Sequence, residues 1–431
     1  MNQNYSERPF PPSLWHATAT PAPLTPPIQE SAHTSVVIIG AGYTGLSMAL
    51  HLAEKGVDVI VLDAEQPGWG ASGRNGGQVI PGLKYDPDEL VSRFGAKWGE
   101  ALIRLSGAAA DTVFDLIDKY QISCDAVRKG WIQTAHSQNM MRVMERRASQ
   151  WARRGAPVQL LDQSAVAQRI GTGGFMGGWI DSRAGSVQPL SYARGLARAA
   201  QGLGVQIYGQ SRATRISKVS EGWQVAAGHG ATVTASQVLI ATNGYTDGLW
   251  PSLRQTVLAA NSFLVATPPL SDEQGAAILP GREVSSDSRR LLVYFRRDAQ
   301  GRLVLGGRGP FSNPQGTSEW AHIERALELL FPQLKGIAYE YRWAGRVAVT
   351  ADFMPHVHQP APGLHIALGY NGRGIAMATT MGKVMAEHIA GDPTVPLPYP
   401  VTAIKPIPFH HLQRFYMAAG VAWYRLLDAL S

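Results

Sequence analysis

The residues of this chain whose types and spacing could do chemistry begin with three glycines, Gly40, Gly42 and Gly45, and an acid, Asp63. The apolar run at 36–39 suits a buried parallel strand and leads straight into the glycines. Leu46, Ala49, Leu50 and Ala53 then recur at helical spacing, Gly56 stands where a helix would stop, and 57–62 reads as a second strand closed by Asp63. Strand, glycine turn, helix, strand and acid, with Asp63 placed 21 residues after Gly42, predict a βαβ unit that binds a dinucleotide. Gly40 permits the tight turn, Gly42 lets a pyrophosphate approach the backbone, and Gly45 lets helix and strand pack closely. Tyr43 and Thr44 open the helix, whose free N–H groups and partial positive charge face the phosphates. Asp63 is placed to accept hydrogen bonds from ribose hydroxyls, which disfavours NADP and leaves NAD and FAD open.

Two further glycine segments narrow the choice. Residues 70–78 hold Gly70, Ser72, Gly73, Arg74, Asn75, Gly76, Gly77 and Gln78, a backbone able to wrap closely around a ligand. Towards the other end, Ile366, Ala367 and Leu368 run into Gly369, Tyr370, Asn371, Gly372, Arg373, Gly374 and Ile375, followed by a predicted helix over 374–390. The start of that helix can donate backbone N–H bonds to an anion. A reduced flavin is negative near its pyrimidine edge, and a helix end pointing there favours reduction as an oxyanion hole would. A glycine turn that only punctuates strand and helix is the other reading.

More segments follow in order. They are Leu14 and Trp15; Lys129, Gly130 and Trp131; Arg212, Ala213 and Thr214; the run 238–245 with Ala241, Thr242 and Asn243; and Trp343, Ala344 and Gly345, with Thr350, Asp352 and Pro355 behind them. With these the chain resembles the D-amino-acid oxidase superfamily of flavin amine and amino-acid oxidoreductases, and most closely its γ-glutamylputrescine oxidase branch. The resemblance implies an α/β fold: a glutathione-reductase-like (Rossmann-type) FAD domain in discontinuous pieces, with an inserted mixed β-sheet substrate domain. It implies FAD, with loop 70–78 bordering the pyrophosphate and isoalloxazine ring and the backbone at Ala213 touching adenine. Ala241, Thr242, Asn243, Gly345, Gly372, Arg373, Gly374 and Ile375 complete the cofactor set. Asn75, Trp131, Tyr294 and Tyr370 are the residues it implies beside the reacting carbon, with core packing as the alternative for the aromatics.

The implied activity is oxidative deamination of an amine: flavin takes a hydride from the carbon bearing nitrogen, and water hydrolyses the imine to a carbonyl. The amine must first lose its proton, and an alkylammonium with a pKa of about 10.4 does so more readily in a desolvating pocket. The implied partners are a small-molecule amine and molecular oxygen or another electron acceptor. Some relatives attach flavin through cysteine or histidine; here Cys124 is far along the chain from the last flavin segment and 70–78 holds no histidine, so FAD is expected to be non-covalent.

Relatives resembling glycine oxidase grip an α-carboxylate with an arginine four residues after the tryptophan of the Trp-Ala-Gly segment. That position here is Val347, and Arg346, one place earlier, falls on the opposite face of a strand. The missing clamp predicts an amine whose reacting carbon bears no carboxylate, such as a γ-glutamylated or free polyamine, although Arg296, Arg297 or Arg342 could replace it. A secondary or cyclic amino acid such as L-pipecolate, sarcosine or glycine is the alternative substrate. A flavoprotein subunit that only relays electrons is the alternative of another kind.

The expected layout is a proline-rich arm at 1–34, laid on or off the surface; FAD-domain pieces at 31–84, 181–250 and 344–395; a substrate domain at 85–180 and 251–343; and a helical tail at 396–431. Helices are predicted at 88–95, 97–120, 139–154, 191–203 and 320–330, and strand signals at 129–135, 205–219, 223–227, 232–235, 238–241, 291–296, 303–305 and 364–368. At 431 residues, 45% hydrophobic and 16% charged, the chain is globular, not disordered. One cysteine excludes an intrachain disulfide and any multi-cysteine zinc or iron–sulfur site. The net charge is +7, but the densest basic cluster, Arg142, Arg146, Arg147, Arg153 and Arg154, reads as a solvated helix face, with no groove-reading motif for nucleic acid. His356, His358 and His365, and His410 with His411, lack acids at metal-ligand spacing, so no metal is expected. There is no apolar run of about 18 residues and no signal-peptide pattern, which points to the cytoplasm. The aromatic, weakly basic stretch at 409–430 suits docking on protein, either its own body or a partner subunit, over a membrane surface.

Overall fold

The computed structural model describes residues 9–289, 292–309, 314–391, 397–413, 415–416 and 420. Two eight-stranded sheets carry the architecture. The first runs in the order His356–Ala361, Leu364–Leu368, Thr232–Ile240, Ala32–Ile39, Val59–Leu62, Gln206–Tyr208, and Arg215–Val219 and Gly222–Ala226 extend it from Thr232–Ile240. Its central pairs are parallel, with Val36 opposite Val59 and Val37 opposite Val238. Alternation along the first strand sorts the core. Val36 and Ile38 pack under the Tyr43–Ala53, Pro189–Gly202 and Gly374–Ala390 helices, while Val37 and Ile39 meet Trp223, Val225 and Leu253 on the other face. This is the Rossmann-type arrangement: a buried parallel sheet needs apolar cover on both faces.

The second sheet runs Tyr341–Val349, Leu258–Pro269, Arg302–Arg308, Val293–Arg297, Val284–Asp287, Trp131–Ala135, Gly177–Asp181, Val158–Asp162. Its pairs are antiparallel except Val284–Asp287 with Trp131–Ala135, so the sheet is mixed. Phe263, Phe295, Phe331, Trp320 and Leu327 build a separate core on it. The boundary expected at 344 falls inside the Tyr341–Val349 strand, so Gly345 belongs by hydrogen bonding to the second sheet.

Several elements differ from expectation. The proline-rich arm is not loose: Leu14–Thr18 forms a helix capped by Ser13, and Leu14 and Trp15 are buried against Leu190, Leu264, Val304 and Trp343. Gly95 (φ 74°) kinks the Pro87–Gly107 stretch where the expected 88–95 and 97–120 helices part, but 97–120 is itself interrupted at Ala108, where Gly107 lets Trp151 and Arg183 close in before Ala109–Lys119 begins. Val158–Asp162, the Gln163–Ile170 helix and Gly177–Asp181 lacked a periodic signal, although Asp162 caps the helix by accepting from the Ala165 N–H. The basic helix spans Gln138–Ala152, and the arginines on and just beyond it are tied locally, Arg147 to Asp86 and Arg153 and Arg154 to Asp88. Most of the expected tail helix lies outside the described residues. Among the described residues no helix is long and apolar enough to cross a membrane, and no three histidine, cysteine or acidic side chains gather as a metal site.

The Tyr43–Ala53 and Gly374–Ala390 helices cross at Gly382, where a β-carbon would stand 2.5 Å from the Thr44 carbonyl oxygen and 2.7 Å from Ser47 Cβ. Gly382→Ala is expected to cost about 1–3 kcal/mol as overpacking and to lower the melting temperature. An unchanged melt would show that the helices have room to spare there.

Candidate active site

The glycine turn does what its spacing asks. Gly40 (φ 112°) lies against Ala241, a β-carbon at Gly45 would overlap the Gly40 carbonyl oxygen, and the Tyr43–Ala53 helix starts at Gly42 with no side-chain cap. Its first-turn N–H groups therefore remain for a ligand, apart from that of Tyr43, which donates to Ser72 Oγ (3.1 Å). Asp63 accepts from the Ala41 N–H through Oδ2 (2.6 Å) and from the Glu65 N–H through Oδ1 (2.8 Å). Burial pushes its carboxyl up to about 6, against the pull of those two N–H groups.

Loop 70–78 is held by its own carbonyl oxygens. Trp15 Nε1–H donates to the Asn75 carbonyl (2.7 Å), and Trp343 Nε1–H donates to the Arg74 carbonyl (3.0 Å). The Asn75 amide donates to the Ala71 and Ser72 carbonyls (3.1 and 2.9 Å) and to the Tyr43 hydroxyl (3.1 Å), and its oxygen accepts from the Gly77 N–H (2.8 Å). Asn75 therefore shapes the loop, and its side chain is not free to meet a substrate. Gly77 turns the chain (φ 71°) where any side chain would strike the Val187 carbonyl and Arg296. Gly76 and Gly306 leave room for the Tyr294 ring, whose hydroxyl lies 2.8 Å from Ser262 Oγ. Arg74 stacks 4.1 Å over Trp69, donates to the Trp69 carbonyl through Nε (2.9 Å), and keeps a buried Nη2 with no partner.

The last glycine segment is anchored from two sides. Asn243 Oδ1 accepts from the Gly369 N–H (2.9 Å) and Asn371 Oδ1 from the Thr350 N–H (2.9 Å). The Tyr370 hydroxyl lies 2.6 Å from Thr44 Oγ1, which joins the two helix starts. Trp131 donates from Nε1 to Ser286 Oγ (3.0 Å), and the Arg373 guanidinium lies 4.9 Å over its ring.

These segments line one cleft of about 1190 Å³, larger than the ~300–1,000 Å³ of an ordinary small-molecule pocket, so a dinucleotide and a second molecule fit together. Every expected site residue lines it except Gly45 and Gly77, which act through packing. Tyr245, Trp69, Asn371, Lys84 and Arg147 line it too and were not singled out for the site by spacing. Val347 lines the cleft without a charge, but Arg346, expected on the opposite face of the strand, lines it as well, 5.2 Å from the Tyr245 ring. The three arginines named as substitute clamps lie off the cleft: Arg296 donates to the Val187 carbonyl, Arg297 to the Gly275 carbonyl, and Arg342 pairs with Glu324. The lone Cys124 is buried, its thiol pushed up to about 12 by desolvation, and it lies off the cleft as well.

FAD fits these donors. Two uncapped helix starts open into the cleft, Arg74 holds an orphaned guanidinium nitrogen, and a β-carbon at Gly372 or Gly374 would meet nothing within 4 Å. The family model for FAD-dependent oxidoreductases of the DAO type matches residues 35–388, and the chain belongs to that family. It is 35% identical over 374 residues to a probable oxidoreductase, OrdL, of Haemophilus influenzae, covering 85% of each chain. It is 31% identical over 418 residues to the γ-glutamylputrescine oxidoreductase of Escherichia coli, covering 94% of this chain and 95% of the relative. Glycine oxidase from Geobacillus kaustophilus shares the fold with a TM-score of 0.71 at 20% identity, over 86% of this chain and 98% of its own. Iminodiacetate oxidase from a Chelativorans species does so with a TM-score of 0.70 at 18% identity, over 85% and 99%. The protein is thus an FAD-dependent oxidoreductase of the amine and amino-acid oxidising kind.

Asp63 gives a pH test. Ionised carboxylate is the stronger acceptor for ribose hydroxyls, so FAD affinity of the stripped protein should rise as pH passes about 6. The stripped protein itself should lose stability over the rise from about 4 to 6, because its folded state holds that proton more tightly than the unfolded chain. FAD titrations between pH 5 and 8 that are flat in the parent, and match Asp63→Asn, would remove Asp63 from the ribose. Trp343→Phe keeps the ring packing but frees the Arg74 carbonyl, and is expected to weaken FAD binding by about 0.5–1.5 kcal/mol, read by equilibrium dialysis.

Proposed function

We propose that this protein holds FAD without a covalent bond and oxidises an amine of the γ-glutamylputrescine type, whose reacting carbon bears no carboxylate. Bound FAD supplies a two-electron acceptor. The reading is carried by three uncharged rings, Trp131, Tyr294 and Tyr370, which line the same cleft as the last glycine segment and which we take as its neutral wall. Burial holds both phenols above their ordinary range, Tyr294 at about 12, so neither brings charge to the wall at neutral pH. Such a wall removes water from an alkylammonium, favours its neutral form and so releases the nitrogen lone pair. Val347 offers no cation to an α-carboxylate. The N–H groups that open the Gly374–Ala390 helix steady negative charge at that end of the cleft. The 31% identity to the γ-glutamylputrescine oxidoreductase along nearly the whole chain supports the same substrate class. In this reading residues 31–84, 181–250 and 344–395 serve the cofactor, and 85–180 and 251–343 the substrate.

Non-covalent binding is favoured because the lining residues include no cysteine and one histidine, His136, whose Nδ1 lies 2.7 Å from Ser288 Oγ. Acid precipitation should leave yellow colour in the supernatant; colour retained in the pellet would refute it. Anaerobic flavin bleaching should be at least about tenfold faster with γ-glutamylputrescine than with glycine, sarcosine, D-alanine or L-pipecolate. Faster bleaching by an α-amino acid would move the protein to the amino-acid oxidases. Bound flavin that no amine bleaches would favour electron relay.

A further inference from the structure

The following step rests on reading the cleft as an amine site and narrows the substrate class. Lys84, Arg147, Arg308 and Arg373 gather at one part of the cleft, each from a different element. Lys84 precedes the Pro87–Gly107 helix, Arg147 lies on Gln138–Ala152, Arg308 ends Arg302–Arg308, and Arg373 caps Gly374–Ala390. The acids beside them are already engaged. Asp86 pairs with Arg147 at 2.5 Å and Asp181 with Arg183 at 2.6 Å. The side chains of Lys84 and Arg373 form no hydrogen bond and no ion pair among the described residues. Their recorded contacts are with rings, Lys84 Nζ at 5.9 Å from Phe353 and Arg373 at 4.9 Å over Trp131. Burial first, and Arg147 next, pull the Arg373 guanidinium down to about 10; burial and then Arg373, Arg147 and Arg308 lower Lys84.

A cation without a counter-ion in a crowd of like charge, as Lys84 and Arg373 are here, is a standing cost that a bound anion relieves. Arg373 lies over the Trp131 ring and its guanidinium meets no acceptor among the described residues, so its N–H groups remain for one, and the guanidinium fork matches the two oxygens of a carboxylate. We propose that Arg373 and Lys84 form a carboxylate subsite beside Trp131, so that the amine oxidised here carries a carboxylate away from its reacting carbon and is not a free polyamine. A free polyamine would bring further positive charge to this cluster. The subsite is separate from the Tyr341–Val349 strand, where Val347 is uncharged and Arg346 lies against Tyr245.

The test uses the flavin-loaded protein and two ligands that cannot be oxidised at an amine: N-butylglutaramate, which ends in a carboxylate, and the matching terminal carboxamide. Titration is followed by the visible flavin spectrum and tryptophan fluorescence. The carboxylate is expected to bind about 10–100-fold more tightly than the carboxamide. Arg373→Met and Lys84→Met should each cut that preference about tenfold. Arg373→Lys, which keeps the charge but not the fork, should retain part of it and serves if the methionine variants fail to fold. Equal binding of the two ligands, or a preference untouched by all three substitutions, overturns the subsite. Because neither ligand is a substrate, a clear preference in a protein whose flavin no amine bleaches would refute the catalytic reading and leave the subsite standing. Bleaching by γ-glutamylputrescine with equal ligand binding would do the reverse.

Discussion

Two indole N–H groups hold the loop on which the cleft depends. Trp15 and Trp343 donate to the consecutive carbonyl oxygens of Asn75 and Arg74, from opposite ends of the chain. A loop with four glycines in eight residues has a large entropy to lose. Local hydrogen bonds from Asn75 offset part of that, and of these only the one to the Tyr43 hydroxyl leaves the loop. The tryptophans fix it to the body: Trp15 meets Trp343 edge to face at 5.6 Å, and Arg296 lies 4.9 Å over Trp15 while donating to the Val187 carbonyl. Arg296 is buried and held down to about 10 by desolvation, so this clamp also keeps a charge inside the fold. The N-terminal arm is therefore part of the site's foundation.

The rest of the cleft follows from where the parallel strands end. Ala32–Ile39, Val59–Leu62, Thr232–Ile240 and Leu364–Leu368 deliver Gly40, Asp63, Ala241 and Gly369 to one edge of the first sheet. Two helices begin there, and the Thr44 to Tyr370 hydroxyl contact joins their starts. Gly382 lets the same helices cross closely further along. The second sheet then supplies the opposite wall through Trp131 and Tyr294, and its edge strand reaches back so that Gly345 lies against Arg74.

What was legible in the sequence is what is local. The first βαβ unit reads directly because strand, turn, helix and acid all lie within 36–63 and each is specified by neighbours in the chain. The glycines of 70–77 are legible as a loop but not in their reasons: Gly76 makes room for Tyr294 and Gly77 for Val187, both distant in sequence. Whether the arm lies on or off the body stayed open, because proline content describes backbone stiffness and says nothing of the long-range acceptor that Trp15 meets. Gly177–Asp181 carries two glycines and gave no strand pattern, yet it is paired on both sides, to Trp131–Ala135 and to Val158–Asp162. Tertiary pairing overrides local preference there. Lys84 and Arg373 belong to the same class of hidden fact, since nothing in their spacing says that they share a cavity.

Charge is distributed along the cleft in a way that suits an amine oxidising site. The glycine-lined part offers backbone N–H groups and Asp63, which suits phosphates and a ribose. The wall of Trp131, Tyr294 and Tyr370 offers no charge, which suits a nitrogen that must be neutral to react. Trp131 belongs to both the wall and the cationic cluster, since one face of its ring carries Arg373. Placing cations next to a neutral wall has a further electrostatic consequence. A positive field disfavours a second positive charge nearby, so the cluster acts in the same direction as desolvation on the ammonium of a bound substrate. On the proposed reading, substrate anchoring and amine deprotonation draw on the same side chains.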